Sequence, residues 1–308
     1  MKVLIATEKP FSKDAVSAIC DVLAANGAEA VLLEKYTDAA QLHAAVAQPG
    51  IEGLIVRSDI VDAAVIDAAK DLKVIVRAGA GYDNIDLKAA SAKGIVVENT
   101  PGQNANAVAE LVIGFAIAAA RNGFNGTTGA ELRGKSLGLQ AFGQVGRHVA
   151  TIARGGFGMD VSAFDPFCPS NVMEEAGVSV ATSVEDIYRN NRFVSIHIPA
   201  TPQTVKSIGY DLVSLMPKGG VLINSARKEV IDEDGLCKAL TERPDLKYYA
   251  DVKPACAERM EAEFPGRVFF SPKKTGAQTA EANYNAGVAA ARQVCAYLKD
   301  GVDRFRVN

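Results

Sequence analysis

Short apolar runs alternate with amphipathic stretches along most of the chain. In the first hundred residues the apolar runs predict strands over 3–6, 30–33, 54–57, 74–77 and 96–98. The stretches between them place apolar residues at helical spacing and predict helices over 12–26, 39–47, 62–70 and 87–93. Strands that are apolar on both faces and separated by helices indicate a parallel sheet covered by helices on both sides, so the fold class is α/β.

The second part of the chain begins with one long helix and then continues this alternation of strands and helices. That helix is predicted over 105–121, and a glycine-rich connector over 122–134 follows it. Further strands are predicted over 137–140, 160–164, 193–197, 221–224, 248–251 and 268–271, and a last helix over 280–299.

The stretch 137–166 has the order strand, glycine turn, helix, strand and acid. Gly143 and Gly146 open the helix, and Asp165 ends the second strand, 19 residues after Gly146. This order is typical of dinucleotide binding, because backbone N–H groups of the turn attract a pyrophosphate and the acid accepts hydrogen bonds from ribose hydroxyls. An acid at this place disfavours the extra phosphate of NADP, so the predicted cofactor is NAD. The contacts predicted here are Ala141, Gly143, Gln144, Val145, Gly146, Asp165 and Pro166.

Ala141 occupies the position of the first glycine in the usual G-x-G-x-x-G pattern, which makes the match weaker. An ordinary turn between a strand and a helix is the alternative interpretation of these small residues.

Length and composition suit two globular domains. The 308 residues are 48% apolar and 22% charged, with a net charge of −3, so nothing indicates binding to nucleic acid or to an anionic membrane. The longest apolar stretch, 107–120, contains Glu110 and is too short to cross a bilayer. The N-terminal apolar run predicts a first strand rather than a signal peptide. Five cysteines without a C-x-x-C pair favour reduced thiols and a cytoplasmic location.

Several stretches resemble the D-2-hydroxyacid dehydrogenase family along nearly the whole chain. They are LIVRS at 54–58, RAGAGYDNID at 77–86, NTP at 99–101, AEL at 109–111, HIP at 197–199, NSAR at 224–227 and GAQTAEA at 276–282. Within the family, the chain is most similar to the branch that oxidises D-3-phosphoglycerate.

The resemblance implies a discontinuous organisation. A flavodoxin-like substrate-binding domain would comprise residues 1–98 and 284–308, and a Rossmann-like NAD-binding domain would comprise residues 99–283. The catalytic cleft would lie between them, and a homodimer would form through the cofactor domain, where the helix over 105–121 is a candidate interface. The resemblance implies no metal.

The resemblance also assigns the catalytic cation. Arg227 lies just after a predicted strand, where the family has an arginine, and its guanidinium can bind a carboxylate through two parallel hydrogen bonds. A surface arginine after a strand is the alternative.

The family's catalytic histidine and its glutamate partner are both missing. The histidine position holds Lys274 when counted back from GAQT and Lys273 when counted forward from Pro272, and Lys274 is favoured because the downstream match is longer. The glutamate position holds Cys256. A lysine has no tautomer to orient, and a carboxylate partner would keep its pKa high, so the two losses agree with each other. The resulting hypothesis is a lysine acid/base; the alternatives are a lysine that only binds an anion, and an inactive protein.

The substrate and the remaining cofactor contacts follow from the resemblance. A phosphorylated 2-hydroxy acid, D-3-phosphoglycerate, would be bound by Arg57 and Ser58, by Arg77, by the backbone of Ala78 and Gly79, and by Asn104, whose alternative role is helix capping. Further cofactor contacts would be His197, Pro199, Thr201, Ser225, Ala226, Asp251 and Gly276.

The predicted function is therefore NAD-dependent oxidation of D-3-phosphoglycerate to 3-phosphohydroxypyruvate, a step of serine biosynthesis. One alternative is a hydroxypyruvate or glyoxylate reductase, or another D-2-hydroxyacid reductase. The other is a non-catalytic protein that senses NAD(H).

Overall fold

The two predicted parallel sheets form in two separate units of the chain. The computed structural model describes residues 1–308. One unit comprises Met1–Asn104 with Thr279–Asn308, and the other comprises Ala105–Gln278.

The first unit is built on five parallel strands in the order β2-β1-β3-β4-β5. This is the flavodoxin-like order that the resemblance implied. The strands are β1 (Lys2–Thr7), β2 (Glu29–Glu34), β3 (Ile51–Val56), β4 (Val74–Arg77) and β5 (Val96–Asn99). The helices are α1 (Lys13–Ala25), α2 (Ala39–Val46), α3 (Ala63–Ala68), α4 (Leu87–Ala92) and, from the end of the chain, α12 (Ala280–Asp300).

Side-chain caps start the helices of this unit. Ser12, Asp38, Asp62, Asp86 and Thr279 each accept a hydrogen bond from a backbone N–H in the first turn of the following helix. Such caps satisfy N–H groups that have no partner inside the helix, so these starts are encoded locally.

Alternate residues of the strands fill two apolar layers. Val3 and Ile5 face the layer that contains α1 and α12, while Leu4 and Ala6 face the layer that contains α2 and α3. A Cβ on Gly53 of β3 would lie 2.8 Å from Val294 Cγ1, so the close packing of α12 on the sheet requires glycine there.

The second unit is built on seven parallel strands in the order β12-β11-β10-β9-β6-β7-β8. They are β6 (Ser136–Gln140), β7 (Asp160–Phe164), β8 (Ser179–Val180), β9 (Phe193–Ile196), β10 (Val221–Asn224), β11 (Lys247–Ala250) and β12 (Val268–Phe270). The helices are α5 (Ala105–Ala120), α6 (Gln144–Phe157), α7 (Ser170–Glu175), α8 (Val184–Asn190), α9 (Tyr210–Val213), α10 (Glu233–Glu242) and α11 (Ala257–Glu263). The prediction of two doubly wound α/β domains, one of them Rossmann-like, is confirmed.

The strand order of the second unit reverses beside β6. From β6 the chain proceeds outward through β7 and β8, and then crosses to β9 on the other side. Ligands of open parallel sheets bind outside the carboxyl ends of the strands at such a reversal. The fold therefore directs attention to the loops that follow β6, β9, β10 and β11.

Three strands of the second unit end one residue earlier than predicted. His197, Asp251 and Ser271 each still donate the backbone N–H to the neighbouring strand, but they follow β9, β11 and β12 as the first loop residues. These three polar residues consequently lie along the carboxyl edge of the sheet.

The unit boundaries lie a few residues from the predicted ones. The prediction divided the chain after residues 98 and 283, whereas the units divide after Asn104 and Gln278. The backbone N–H groups of Asn99 and Thr100 bond the carbonyls of Phe305 and Gly79, which ties this stretch to the first unit. No helix is long and apolar enough to span a membrane.

Candidate active site

The turn after β6 adopts the conformation that a dinucleotide site requires. Ala141 has φ +87°, a conformation that glycine reaches without strain, which explains why the usual motif has glycine there. A Cβ on Gly146 would lie 2.6 Å from the Ala141 carbonyl oxygen, so Gly146 allows α6 to start directly against the turn. A Cβ on Gly143 would meet nothing within 4 Å. The N-terminus of α6 thus faces open space with free N–H groups.

Asp165 links this turn to the end of β7. Its Oδ2 accepts the N–H of Phe142 at 2.8 Å, and its Oδ1 accepts the N–H of Phe167 at 2.9 Å. A carboxylate has about four lone-pair positions, so Asp165 can accept further hydrogen bonds from ribose hydroxyls. Pro166 follows directly in the same loop.

Two further predicted cofactor contacts, at the carboxyl edge of the sheet, each have a polar atom without a hydrogen-bond partner. His197 Nε2 and Ser225 Oγ are buried and form no hydrogen bond within the chain. Burial lowers the pKa of His197 to about 4, so the imidazole is neutral near pH 7 and unsuited to act as the acid/base of the reaction. Unpartnered polar atoms beside an open glycine turn fit a dinucleotide.

The loop after β9 is closed by its own hydrogen bonds. Thr204 Oγ1 accepts the N–H of Thr201 at 2.8 Å and donates to the carbonyl of Pro199 at 2.5 Å. Pro199 and Thr201, both predicted contacts, therefore belong to one ordered turn at the carboxyl edge.

Asn224 shapes the loop that carries Arg227, a role that was not among the predicted ones. It is the last residue of β10 and is fully buried. Its Oδ1 accepts the N–H of Ala226 at 2.9 Å, and its Nδ2 donates to the carbonyl of Arg227 at 2.9 Å. An asparagine at a strand end before small residues is the sequence signal for such a turn.

Asp251 organises the loop that carries the two lysines. Its carboxylate is buried; Oδ1 accepts the N–H and the hydroxyl of Thr275 at 2.7 and 2.8 Å, and Oδ2 accepts the N–H of Gly276 at 2.8 Å. The resemblance implied that Asp251 contacts the cofactor. In the structure both oxygens hold Thr275 and Gly276, the residues that directly follow Lys274.

These loops enclose a cavity of about 330 Å³. Arg227 from the loop after β10 and Asp251 from the loop after β11 line it together with Lys273 and Lys274. The predicted catalytic cation and both candidate lysines therefore lie around one space at the carboxyl edge of the second unit.

Cys256, at the position of the family's glutamate, does not line that cavity. Glu233 accepts the backbone N–H groups of Ala255 and Cys256 at 2.8 and 2.9 Å. Burial and the neighbouring Glu233 raise the pKa of Cys256 to about 12, so the thiol stays protonated. A neutral thiol here places no negative charge beside the lysines.

In the first unit, the two arginines predicted to bind phosphate are engaged with the chain itself. Arg57 Nη1 donates to the carbonyls of Lys9 and Pro10 at 2.7 and 3.0 Å, and Nη2 donates to Asn283 Oδ1 at 2.5 Å. Arg77 Nε donates to the Arg57 carbonyl at 2.9 Å. These bonds brace the ends of β3 and β4, a role that sequence alone did not suggest.

The other predicted substrate contacts lie nearby in the first unit. A Cβ on Gly79 would lie 1.5 Å from Arg77 Nη1, so the guanidinium rests directly against the Ala78–Gly79 backbone. Ser58 is exposed. Asn104 is half-buried and directly precedes α5.

The fold and these loops define a family. The catalytic-domain pattern of the D-isomer specific 2-hydroxyacid dehydrogenases matches residues 6–308, and the chain belongs to that family. The predicted family is confirmed.

Three individual relatives are similar to this chain over most of its length. D-3-phosphoglycerate dehydrogenase of Methanocaldococcus jannaschii is 34% identical over 99% of this chain, and the match covers 59% of that relative. Hydroxypyruvate reductase of Thermotoga maritima is 36% identical over 78% of this chain and 82% of its own length. The NAD⁺-bound structure of 3-phosphoglycerate dehydrogenase from Entamoeba histolytica is 43% identical, with a TM-score of 0.89 over 100% of this chain and 98% of that one.

Proposed function

We propose that this chain is an NAD-dependent dehydrogenase that oxidises D-3-phosphoglycerate to 3-phosphohydroxypyruvate, a reaction that supplies serine biosynthesis. The observation that carries the proposal is the cavity in which Arg227 lies with Lys273 and Lys274, in the same unit as the dinucleotide turn. The names of the M. jannaschii and E. histolytica relatives support this substrate.

NAD would be held by the turn and the loops already described. The N–H groups at the start of α6 would bind its pyrophosphate, and Asp165 its ribose. His197, Ser225 and the turn at Pro199 would contact the remainder. When bound, NAD supplies the hydride acceptor for this oxidation.

Arg227 and one lysine would then handle the substrate. The guanidinium binds the carboxylate and polarises the neighbouring oxygen, while the lysine amine removes the hydroxyl proton. A lysine must be neutral to accept a proton. The protonated thiol of Cys256 adds no opposing negative charge.

Lys274 is the stronger candidate for the acid/base. Asp251 holds Thr275 and Gly276 through three short hydrogen bonds, so Lys274 is attached to a fixed point of the loop. Lys273 is one residue further from it. Acid/base catalysis depends on such positioning, because the proton must pass between groups at hydrogen-bond distance.

The test is NADH formation at alkaline pH with D-3-phosphoglycerate, beside D-glycerate, D-lactate and NADP⁺. We expect turnover with the phosphorylated acid and NAD⁺. We expect Lys274→Ala to lower kcat by about 10²-fold or more, with partial recovery on adding methylamine. Lys218→Ala, at the opposite end of β10, is the control for loss of one positive charge. Near-normal turnover of both Lys273→Ala and Lys274→Ala would refute the lysine mechanism.

A reductase of hydroxypyruvate is the second candidate, because the T. maritima relative bears that name at a similar identity. NADH oxidation with hydroxypyruvate, without activity on the phosphorylated acid, would favour it. Binding of NADH without turnover of any hydroxy or keto acid would instead indicate a sensor.

We also propose a homodimer formed through the second unit. Phe269 is 45% exposed on the edge strand β12, and its ring centroid lies 5.6 Å from that of the buried Phe115 in α5. Light scattering after gel filtration would give the mass in solution. A monomer at micromolar concentration would refute the dimer.

A further inference from the structure

Two of the five free cysteines lie side by side in the second unit. Cys237 is in α10 and Cys256 directly precedes α11, and both pack into the apolar layer that also contains Leu222 and Tyr248. The Cys256 thiol is within hydrogen-bond reach of the Cys237 sulfur. Two thiols in contact can be joined by a covalent bond, which an isolated thiol cannot form within the chain.

Glu233 holds Cys256 against α10. Glu233 and Cys237 are four residues apart in this helix, so their side chains lie on the same face. The Glu233 carboxylate accepts the backbone N–H groups of Ala255 and Cys256 at 2.8 and 2.9 Å, and it also accepts the Cys256 thiol. The contact between the two sulfurs is therefore set by the position of the loop backbone.

Arg259 in α11 contacts the other member of the pair. Its Nη2 lies 3.6 Å from Asp234 Oδ1, and its guanidinium contacts the Cys237 sulfur. A neighbouring guanidinium favours the thiolate, which is the form that attacks a disulfide. Cys237 is only 6% exposed, whereas Cys256 is partly exposed. A small oxidant thus reaches Cys256 first, and Cys237 is placed to attack the product.

We infer that Cys237 and Cys256 are a reversible oxidation site: a low-molecular-weight disulfide converts the two thiols to a protein disulfide, and this bond slows turnover. In the first step the Cys256 sulfur attacks one sulfur of oxidised glutathione, whose S–S bond breaks and releases one glutathione thiol. The Cys237 sulfur then attacks the Cys256 sulfur and releases the second glutathione thiol. The two cysteines lose two electrons and two protons, and the two glutathione sulfurs gain them.

The disulfide would act on the candidate active site through the loop after β11. To form it, the two sulfurs must approach more closely than hydrogen-bond contact, which draws Cys256 toward α10. The same loop contains Lys253, in the wall of the cavity, and begins at Asp251, which holds Thr275 next to Lys274. A displacement of about 1 Å in such a support can lower a catalytic rate by about 10²-fold.

The first test locates the bond and needs no substrate. The reduced protein is incubated with oxidised glutathione at about pH 9, because burial and Glu233 raise the pKa of Cys256 and little thiolate forms near neutral pH. After acid quenching and alkylation, mass spectrometry should find a tryptic fragment that joins residues 229–238 to residues 248–259 and carries no glutathione. Unmodified cysteines in both peptides, or glutathione retained on Cys256, would refute the oxidation site.

Variants of the complete protein test the order of the two steps. Cys237→Ser should leave glutathione attached to Cys256, because the second attacking thiol is missing. Cys256→Ser should prevent modification of the buried Cys237. Cys20→Ser, which removes a cysteine of the first unit, is the matched control and should still give the joined fragment. Modification of Cys237 in the Cys256→Ser variant would contradict the proposed sequence of attack.

The second test measures the effect of the bond on the site. We expect oxidation to lower kcat at least about fivefold, with recovery on adding dithiothreitol. The Thr275 and Gly276 amides should exchange hydrogen faster in the oxidised protein. A joined fragment with unchanged kcat and unchanged amide exchange would overturn the control of turnover.

The outcomes separate this inference from the proposed function. The joined fragment and the amide exchange are measured without substrate, so a protein that does not turn over D-3-phosphoglycerate refutes the proposed function alone. Absence of the joined fragment in a protein that turns over this acid refutes the oxidation site alone.

Discussion

Replacing Asp251 with asparagine tests whether the Asp251 carboxylate holds the loop of the two lysines in position. The carboxylate is only 1% exposed and accepts three hydrogen bonds: from the N–H and the hydroxyl of Thr275, and from the N–H of Gly276. Asparagine is nearly the same size and leaves the packing unchanged. Its side chain, however, has only one oxygen, which can accept hydrogen bonds either from Thr275 or from Gly276 but not from both.

The energetic cost follows from these contacts. If the amide oxygen of the asparagine side chain keeps the Thr275 bonds, its NH₂ group faces the N–H of Gly276, which loses its acceptor. A buried donor without a partner costs about 1–3 kcal/mol, and loss of the charge weakens the two remaining bonds by about 1 kcal/mol each. We therefore expect the Asp251→Asn variant to lose about 3–5 kcal/mol, either from the free energy of unfolding or through local opening of the loop.

Both the stability and the activity of the Asp251→Asn variant are measured. Urea unfolding gives the change in free energy, and amide hydrogen exchange at Thr275 and Gly276 reports local opening. Because Lys274 precedes Thr275, kcat should fall at least tenfold while the Kd of NAD⁺ changes little. Glu229→Gln removes an exposed carboxylate from the same cavity and should alter stability by less than about 0.5 kcal/mol. Unchanged protection of both amides together with unchanged kcat would refute the positioning role of Asp251.

Three further predictions concern other parts of the molecule. Gly146→Ala places a Cβ 2.6 Å from the Ala141 carbonyl oxygen, so calorimetry should show the Kd of NAD⁺ rising at least tenfold; an unchanged Kd would contradict the turn geometry. Arg57→Ala breaks three hydrogen bonds and should lower the free energy of unfolding by about 1–3 kcal/mol in urea titrations, whereas a loss of phosphate selectivity alone would contradict its bracing role. Burial raises the pKa of Glu98 above its usual value, so the protonated form stabilises the fold and this contribution is lost as the pH rises through the folded-state pKa. Because glutamine does not titrate, the Glu98→Gln variant should be more stable than the wild type at pH 8, and the difference in their free energies of unfolding should become smaller near pH 4. Parallel curves of free energy of unfolding against pH for the two proteins would refute this.

Much of the fold could be predicted because its determinants are local. Apolar runs of strand length, helical spacing between them and caps such as Ser12 and Asp38 each act within a few residues of the chain. The conformation of the glycine turn at Gly143 and Gly146 is also determined locally, because it follows from which residues lack a side chain.

The predicted strand ends at His197, Asp251 and Ser271 were each one residue too late. A polar residue at a strand end can still donate its N–H to the next strand, so the sequence pattern does not show where the backbone leaves the sheet.

The roles of individual polar side chains depended on partners far away in sequence. Arg57 has the chemistry of a phosphate ligand, but its partner Asn283 lies more than two hundred residues along the chain. Asp251 was predicted as a cofactor contact from its place after a strand, and its hydrogen bonds to Thr275 and Gly276, 24 and 25 residues further along the chain, appear only in the structure.

Local patterns in the chain were enough to specify parallel α/β sheets, a dinucleotide turn after β6, and lysines where the family has a histidine. Which cations share a cavity became clear only from the folded chain, because the sheet register brings the loops of Lys228, Lys253 and Lys274 to one edge. Periodicity and capping are encoded within a few residues, whereas the surroundings of a side chain are set by the packing of distant segments.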